Sequence, residues 1–218
     1  MVDAAVQRSA GWSLLPAPLS NPVLDQLDQL SERYARRGLV ADPRVQAAAE
    51  ALHAIATAVL GADAALVGAI WFDKQPTANW RVPWHQDRHA CLRPFTASGW
   101  GPWSAKHGLP HVLWPSPWTE SRLAMRIHLD ACTSGNGPLH VATGSHQRGV
   151  LDQPGIDAML AQRPTATIVA ARGDVLLMHP LLLHRSDPAA QPRRRRVLHL
   201  EWCGVPPPQG GSWRTWWP

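Results

Sequence analysis

The sequence predicts a mainly β protein in which N-terminal helices cover one face of an antiparallel sheet. Helical patterns are confined to the first third of the chain, and short β-type runs separated by Gly- and Pro-rich turns fill the remainder. Helices followed by consecutive strands are typical of this layered arrangement. The 218 residues suffice for one domain with a substantial core. We therefore expect a single domain over 1–218, with a helical part at 1–63 and a β core at 64–218.

Two helices are predicted in the N-terminal part. The first starts where Asn21 can act as a cap before a proline in the first turn, and its pattern continues to Gly38. The second has the same kind of start at Asp42, and its apolar residues recur at helical spacing until Gly61 ends it. We expect both helices to pack on one sheet.

The strands of the β core are predicted from apolar and β-branched runs. They are ALVGAIWF, RLAMRIHLD, ATIVA, DVLLMH and RRVLHLEW. Residues 88–120 differ, because they combine many Gly, Pro and Trp residues with no clear period. A long segment without regular structure in a compact domain is often functional, so we interpret 88–120 as a lid loop over an active site.

Composition narrows the function classes. The net charge is +5, but four positive charges lie together at 193–196, so the charge balance alone does not predict a polyanion partner. No apolar run is long enough to span a bilayer, and no signal-peptide pattern opens the chain, so we expect a cytoplasmic protein. Cys91, Cys132 and Cys203 form an odd, widely spaced set, which predicts free thiols rather than disulfides.

A metal centre is predicted from the sequence WHQD. In a strand, residues two apart point to the same face, so His85 and Asp87 can converge on one ion. Two histidines and one carboxylate form the facial triad of non-haem Fe(II) oxygenases. His179 and His184 are both candidates for the second histidine. Pro180 lies between them, so strand alternation does not choose.

The arginine run suggests a co-substrate site. Arg195 follows His184 by eleven residues, and a hairpin between them would bring Arg195 onto the strand beside His184. An arginine there can form a bidentate pair with the distal carboxylate of a 2-oxo diacid chelated at the metal. Alternation sends Arg195 and Arg196 to opposite faces, so one of the two reaches the site, and we expect 193–194 to be solvated. Ser186 has the same parity as His184 and can contribute a hydroxyl.

Five motifs in order carry a resemblance to a known family. They are WHQD at 84–87, NGPL at 136–139, GSH at 144–146, GDVLLMHPLLLHRS at 173–186 and RRVLHLEW at 195–202. Over about Trp71 to Trp202 the chain resembles the phytanoyl-CoA dioxygenase-like oxygenases, which include ectoine hydroxylase. The resemblance implies a double-stranded β-helix core of the jelly-roll or cupin-like type.

The resemblance also implies residue roles. His85, Asp87 and His184 would bind Fe(II), Arg195 and Ser186 would hold 2-oxoglutarate, and O2 would be the oxidant. The implied reaction hydroxylates a C–H bond of a small polar metabolite, amino acid or natural-product intermediate, with release of succinate and CO2.

Further candidates alternate along RLAMRIHLD, where Arg126, His128 and Asp130 share one predicted face. That face is either exposed or, as the resemblance implies, directed to the cavity, where Arg126 would bind the co-substrate or an acidic substrate. Lys74 and Asn79, just before the metal strand, are additional candidates for contacts in the site.

Two alternative functions remain open at this stage. The first is a nucleic-acid demethylase of the same superfamily, suggested by the basic run. The second is a non-catalytic jelly roll that binds a ligand or a metal. For the main hypothesis we expect a small-molecule substrate, no nucleic-acid or membrane partner, and a monomer or homodimer.

Overall fold

The largest sheet in the computed structural model, which describes residues 9–30, 34–106, 108–208 and 213, has six antiparallel strands. In spatial order they are β1 (Trp12–Leu15), β11 (Val175–Met178), β8 (Arg122–His128), β13 (Arg195–Cys203), β3 (Ala65–Lys74) and β2 (Ala35–Arg36). Its central strand β13 pairs with β3 over nearly its whole length and with β8 from Val197 onward.

A four-stranded sheet lies against the inner face of the large one. Its strands in spatial order are β10 (Thr165–Ile168), β9 (Leu139–Ala142), β12 (His184–Ser186) and β4 (Val82–His85). Apolar side chains of the two sheets form one cluster, in which Leu176 and Met178 of β11 contact the group that includes Val141 of β9. Two antiparallel sheets packed face to face confirm the predicted mainly β, jelly-roll fold class.

Two helices, α1 (Asn21–Asp28) and α2 (Pro43–Leu60), lie on the outer face of the large sheet. The start of α2 is as predicted, since the Asp42 side chain accepts a hydrogen bond from Arg44 N, and the helix ends before Gly61. Buried α-helical leucines pack with the outward residues of β8 and β13, including Met125 and Leu198.

The first helix is shorter than predicted. It ends at Asp28 rather than near Gly38, and Ala35–Arg36 instead forms the edge strand β2 beside β3. Residues 31–33 lie outside the described residues. Pairing with an available sheet edge outweighs the helical propensity of this segment, which is small per residue.

The segment 88–120 is not the structureless loop that we predicted. It contains a three-stranded sheet of β5 (His89–Cys91), β7 (Leu109–Leu113) and β6 (Trp103–Lys106), followed by the short helix α3 (Ser116–Glu120). Its aromatic rings pack on one another; the Trp100 and Trp114 ring centroids, for example, are 5.1 Å apart. Strands of three to five residues are too short to show alternation in a Trp-rich background.

The remaining elements are a 3-10 helix (Ser145–Arg148) and the helix α4 (Gln153–Gln162). The three cysteines are buried and free, as predicted. Within the part of the chain that the structure describes, no helix combines the length and apolar character that crossing a bilayer requires.

Candidate metal centre

The three predicted metal ligands, His85, Asp87 and His184, lie close together at strands β4 and β12 of the small sheet. His184 on β12 is the cross-strand partner of His85 on β4, and Asp87 follows two residues after His85. The ligand atoms of the three side chains all lie within 4.8 Å of one another. Asp87 Oδ1 is 3.5 Å from His85 Nε2, and Asp87 Oδ2 is 3.5 Å from His184 Nε2. The Asp87 amide donates a hydrogen bond to Pro180 O at 2.8 Å, which anchors the turn that carries the carboxylate.

The second ring nitrogen of each histidine fixes which nitrogen can bind a metal. His85 Nδ1 lies 2.9 Å from Pro83 O, and His184 Nδ1 lies 2.9 Å from Leu182 O. A carbonyl oxygen only accepts hydrogen bonds, so each Nδ1 carries the proton. Both Nε2 lone pairs are therefore available to an ion on the side of Asp87, as in histidines that ligate a metal.

The protonation states of Asp87 and His184 suit a cation. Burial opposes ionisation of Asp87, but the nearby His184 and His85 outweigh it and hold the pKa of the Asp87 carboxyl well below its usual range. Burial lowers the pKa of His184 to about 4, so its imidazole is neutral at pH 7. Burial also opposes protonation of His85, yet Asp87 raises the pKa of His85. Deprotonated carboxylate and neutral imidazole are the forms that bind a divalent metal.

His179, the alternative histidine, lies elsewhere. Its ring packs against His146, with 4.9 Å between the centroids, and its Nδ1 accepts a hydrogen bond from Leu181 N. The structure therefore brings His184 rather than His179 to His85 and Asp87.

Arg195 lies in the interior as predicted, but on a different sheet from the one predicted. We expected β13 beside the strand of His184, but β13 belongs to the large sheet and β12 to the small one. Arg195 is the cross-strand partner of Lys74 on the large sheet, and Lys74 Nζ in turn contacts Ser186 Oγ on β12 of the small sheet. The side chain of Arg195 is buried.

The neighbours of Arg195 confirm the expected alternation, and Arg193 is exposed as expected. Arg196 points outward and pairs with Asp130 at 2.6 Å. Arg194 pairs at 2.9 Å with the fully buried Asp73, so it is not simply solvated charge. Asp130 does not share the face of Arg126, since β8 ends at His128 and the alternation stops there.

A cluster of buried cations lies on the inner face of the large sheet. Lys74 is the cross-strand partner of Arg195, and Arg126 is the partner of His199, which has the same parity as Arg195. Burial and the charges of Arg195 and Arg126 lower the pKa of Lys74 to about 8. Among the described residues, no carboxylate forms an ion pair with Lys74, Arg126 or Arg195. Buried cations without a counter-ion are expected to bind an anion.

The two sheets contribute jointly to this cluster. Lys74 Nζ donates hydrogen bonds to Ser186 Oγ at 2.8 Å and to Asp187 O at 3.0 Å. Arg126 Nη1 donates to His199 Nδ1 at 3.1 Å. Arg126 and His128 are buried, so the exposed-face alternative for this part of β8 is wrong. Asn79 is not in the cluster; its side chain exchanges two hydrogen bonds with the backbone of Ala189.

The sequence reasoning missed a buried ion pair beside the metal ligands. Arg122 Nη2 donates to Glu201 Oε1 at 2.6 Å, and Arg122 Nη1 donates to the backbone oxygen of Asp87 at 3.2 Å. The guanidinium also lies over the Trp114 ring, 4.7 Å from its centroid. The signal was present, because Glu201 has the strand parity of Arg195 and Arg122 has that of Arg126.

Arg122→Met is expected to lower the free energy of unfolding by about 3–5 kcal/mol, because it leaves the Glu201 carboxylate buried without its counter-charge. Urea unfolding followed by circular dichroism measures the change. Arg172→Met is the matched control: Arg172 forms exposed pairs with Asp25 and Asp28, and losing them should cost less than about 1 kcal/mol. Equal losses in the two variants would contradict a buried, energetically coupled Arg122–Glu201 pair.

A jelly roll that brings two histidines and one carboxylate to one face defines the architecture of the Fe(II)/2-oxoglutarate-dependent oxygenase superfamily. The family model described as phytanoyl-CoA dioxygenase (PhyH) matches residues 25–197. The chain therefore belongs to the phytanoyl-CoA dioxygenase family. A comparison with curated protein sequences finds no significant match.

Solved structures of low sequence identity share the fold. AviO1 from Streptomyces viridochromogenes Tue57 is 20% identical, with 95% of each chain covered and a TM-score of 0.68. EctD from S. alaskensis, solved with 2-oxoglutarate and 5-hydroxyectoine, is 18% identical over 92% of this chain and 74% of its own, with a TM-score of 0.69. HygX from Streptomyces hygroscopicus, solved with iron, is 14% identical over 91% of this chain and 84% of its own, with a TM-score of 0.64.

Proposed function

We propose that this protein is an Fe(II)- and 2-oxoglutarate-dependent oxygenase that hydroxylates a C–H bond of a small polar metabolite. One observation carries the proposal: a His-Asp-His ligand set on the small sheet faces a cluster of buried cations on the large sheet. A divalent metal and a dicarboxylate are complementary to these two sets of residues. The iron in HygX and the 2-oxoglutarate in EctD support the same pair of ligands here.

The roles of the protein's own residues follow from their chemistry. His85 Nε2, His184 Nε2 and the Asp87 carboxylate would hold Fe(II) from one side and leave the other side for exogenous ligands. The guanidinium of Arg195 and the hydroxyl of Ser186 would bind the distal carboxylate of 2-oxoglutarate. When bound, Fe(II) supplies activation of O2, coupled to the oxidative decarboxylation of 2-oxoglutarate to succinate and CO2.

Lys74 and Arg126 have supporting roles in this proposal. Lys74 Nζ donates to Ser186 Oγ, whose own proton is directed to Gly137 O, and so fixes the position of the hydroxyl that would contact the co-substrate. Arg126 adds a second guanidinium on the same inner face and is fixed by its hydrogen bond to His199. Together they raise the positive potential of a site that must attract a dianion out of water.

The pairing and burial of the arginines at 194–196 favour a small-molecule substrate over nucleic acid. Arg194 and Arg196 are paired with Asp73 and Asp130, and Arg195 is buried. These arginines therefore do not form the exposed basic stripe from which phosphate-backbone binding would arise.

The direct test is an assay of the purified protein with Fe(II), ascorbate and 2-oxoglutarate. We expect O2 consumption and succinate formation above a control from which the metal has been removed by chelation. Compounds from a metabolite library that are substrates should increase succinate release further. Stoichiometric metal uptake with no succinate above the chelated control would instead identify a non-catalytic metal-binding jelly roll.

A further inference from the structure

Arg126 lies near the middle of the inner face of the large sheet. The register pairs Arg195 with Lys74 at one end of this face. It places Arg122 at the other end and sets Arg126 opposite His199 between the two ends. His199 is four residues from Arg195 along β13, which corresponds to about 13 Å at about 3.3 Å per residue. The backbones of Arg126 and Arg195 are therefore well separated on the sheet.

Two contacts between the sheets show that Arg126 lies toward the metal ligands. Lys74 Nζ contacts Ser186 Oγ at 2.8 Å, and Arg122 Nη1 contacts the backbone oxygen of Asp87 at 3.2 Å. Along the large sheet, Arg126 lies between the residues that make these two contacts. Arg126 is therefore on the Asp87 side of Lys74.

Arg126 keeps its positive charge and forms no ion pair with a carboxylate of the described residues. Burial lowers the pKa of Arg126 to about 10, with a contribution from the charge of Arg195, and the Asp87 carboxylate opposes this effect. The guanidinium is therefore protonated at pH 7. Its Nη1 donates to His199 Nδ1, which must be unprotonated to accept, and its Nε is buried without a hydrogen-bond partner. Neither atom meets the negative charge that a buried guanidinium requires.

The two carboxylates of 2-oxoglutarate would both have partners other than Arg126. The distal one would bind Arg195, and the other would chelate the metal. A divalent metal and the Asp87 carboxylate leave one positive charge, and the three cations of the cluster raise it to four. The two negative charges of 2-oxoglutarate reduce this number to two. The buried Arg122–Glu201 pair is neutral, so the loaded site keeps a surplus of positive charge.

We propose that Arg126 binds an anionic group of the substrate, and that the substrate is a metabolite that carries a carboxylate. The proposal rests on the proposed oxygenase function and specifies its substrate class. A carboxylate is favoured because one edge of a guanidinium can donate two parallel hydrogen bonds to it. A substrate held by Arg126 would also have its carbon atoms on the side of Asp87, as a reaction at the metal requires.

The alternative role for Arg126 is to reinforce the metal-chelating carboxylate of 2-oxoglutarate. In that case the guanidinium would be fully occupied once the co-substrate is bound. The two roles therefore differ in one measurable property, which is whether the loaded protein binds a further carboxylate.

The first test uses acetate as the probe for this further carboxylate. The protein is loaded with Zn(II), which has no redox chemistry and so prevents turnover, and is saturated with 2-oxoglutarate. NMR line broadening of the acetate methyl signal measures binding. We expect saturable binding of acetate, and at least about tenfold weaker binding of acetamide, which has a similar shape but no charge. Both measurements use the wild-type protein, so they do not depend on how a variant folds.

Variants then assign acetate binding to Arg126. Arg126→Met removes the guanidinium and should weaken acetate binding by at least about tenfold at saturating 2-oxoglutarate. Arg126→Lys keeps the charge without the planar edge and should lose less. Arg193→Met is the control, because Arg193 is exposed, and it should leave acetate binding unchanged. Thermal unfolding checks that all three variants are folded.

Turnover should follow the same rule. Library compounds that stimulate succinate release by the Fe(II)-loaded protein are expected to carry a carboxylate. The primary amide of each should have a kcat/KM lower by at least about tenfold, because Arg126 would be left without its counter-charge. In Arg126→Met this difference between acid and amide should largely disappear.

Four results would overturn the assignment. They are no saturable acetate binding by the loaded wild-type protein, equal binding of acetate and acetamide, equal acetate binding by wild type and folded Arg126→Met, and stimulation of succinate release by neutral compounds alone. Each would leave the oxygenase proposal standing, because basal turnover of 2-oxoglutarate is measured separately. Absence of that basal turnover in the Fe(II)-loaded wild-type protein would refute the oxygenase proposal itself.

Discussion

Asp87→Ala is expected to abolish 2-oxoglutarate turnover, because it removes the only carboxylate of the three-residue ligand set. The ring centroids of the remaining His85 and His184 are 4.1 Å apart. These rings would still offer two nitrogen ligands, but no negative charge to balance a divalent ion. Mutation of groups behind metal ligands typically costs about 10–100-fold in affinity, so loss of a ligand itself should exceed about 100-fold. Metal titration by calorimetry and succinate release measure the two effects.

Asp157→Ala is the matched control for this variant. Asp157 is an exposed aspartate on α4 that accepts a hydrogen bond from Gln153, and its loss should leave both metal affinity and succinate release unchanged. Asp87 is partly exposed, so its replacement should not unfold the protein, which circular dichroism can check. Equal succinate release from Asp87→Ala and from the wild-type protein would exclude Asp87 as a metal ligand.

Arg195→Met is expected to weaken 2-oxoglutarate binding by about 10- to 100-fold, the effect of losing a charged hydrogen bond worth about 1.5–3 kcal/mol. Methionine preserves much of the buried length of the side chain while removing the guanidinium. Metal affinity should persist, because Arg195 lies on the large sheet and the ligands lie on the small sheet and its connecting turn. Calorimetric titration of the metal-loaded protein with 2-oxoglutarate, in the absence of O2, measures the dissociation constant.

The adjacent Arg193 provides the control, since its side chain is exposed and Arg193→Met removes the same charge from outside the cavity. Comparable losses in the two variants would mean that long-range charge, rather than a direct contact of Arg195, governs binding. A large loss in Arg126→Met with none in Arg195→Met would transfer the carboxylate-binding role to Arg126.

The sequence was informative where local chemistry determines the outcome. The cap at Asp42 and the stop at Gly61 delimit α2 as predicted, and the apolar runs of β8 and β13 are strands in the structure. Alternation along β13 correctly separated Arg195 from Arg196, because side-chain direction in a strand has a fixed period. The WHQD motif also predicted a juxtaposition of His85 and Asp87 that the structure contains.

The sequence was less informative where strand partners are chosen over long distances. Nothing local shows that β12 and β13 belong to different sheets, so Arg195 was expected on a strand beside His184, whereas it lies on the other sheet. For the same reason the Arg122–Glu201 ion pair was not predicted, because its two residues are 79 positions apart in the sequence. The sheet within 88–120 was not predicted either, because each of its strands is stabilised by partners rather than by its own pattern.

The cation cluster of Lys74, Arg126 and Arg195 links catalysis to the lifetime of the folded protein. Without an anion, three positive groups lie close together in a buried region, and the pKa of Lys74 is depressed first by burial and then by the charges of Arg195 and Arg126. A dicarboxylate that binds only the native state relieves this repulsion and stabilises the fold by mass action, by about 2.7 kcal/mol when its free concentration is about 100 times Kd. On the proposed function, the concentration of 2-oxoglutarate would determine both the turnover rate of the enzyme and the lifetime of its folded state.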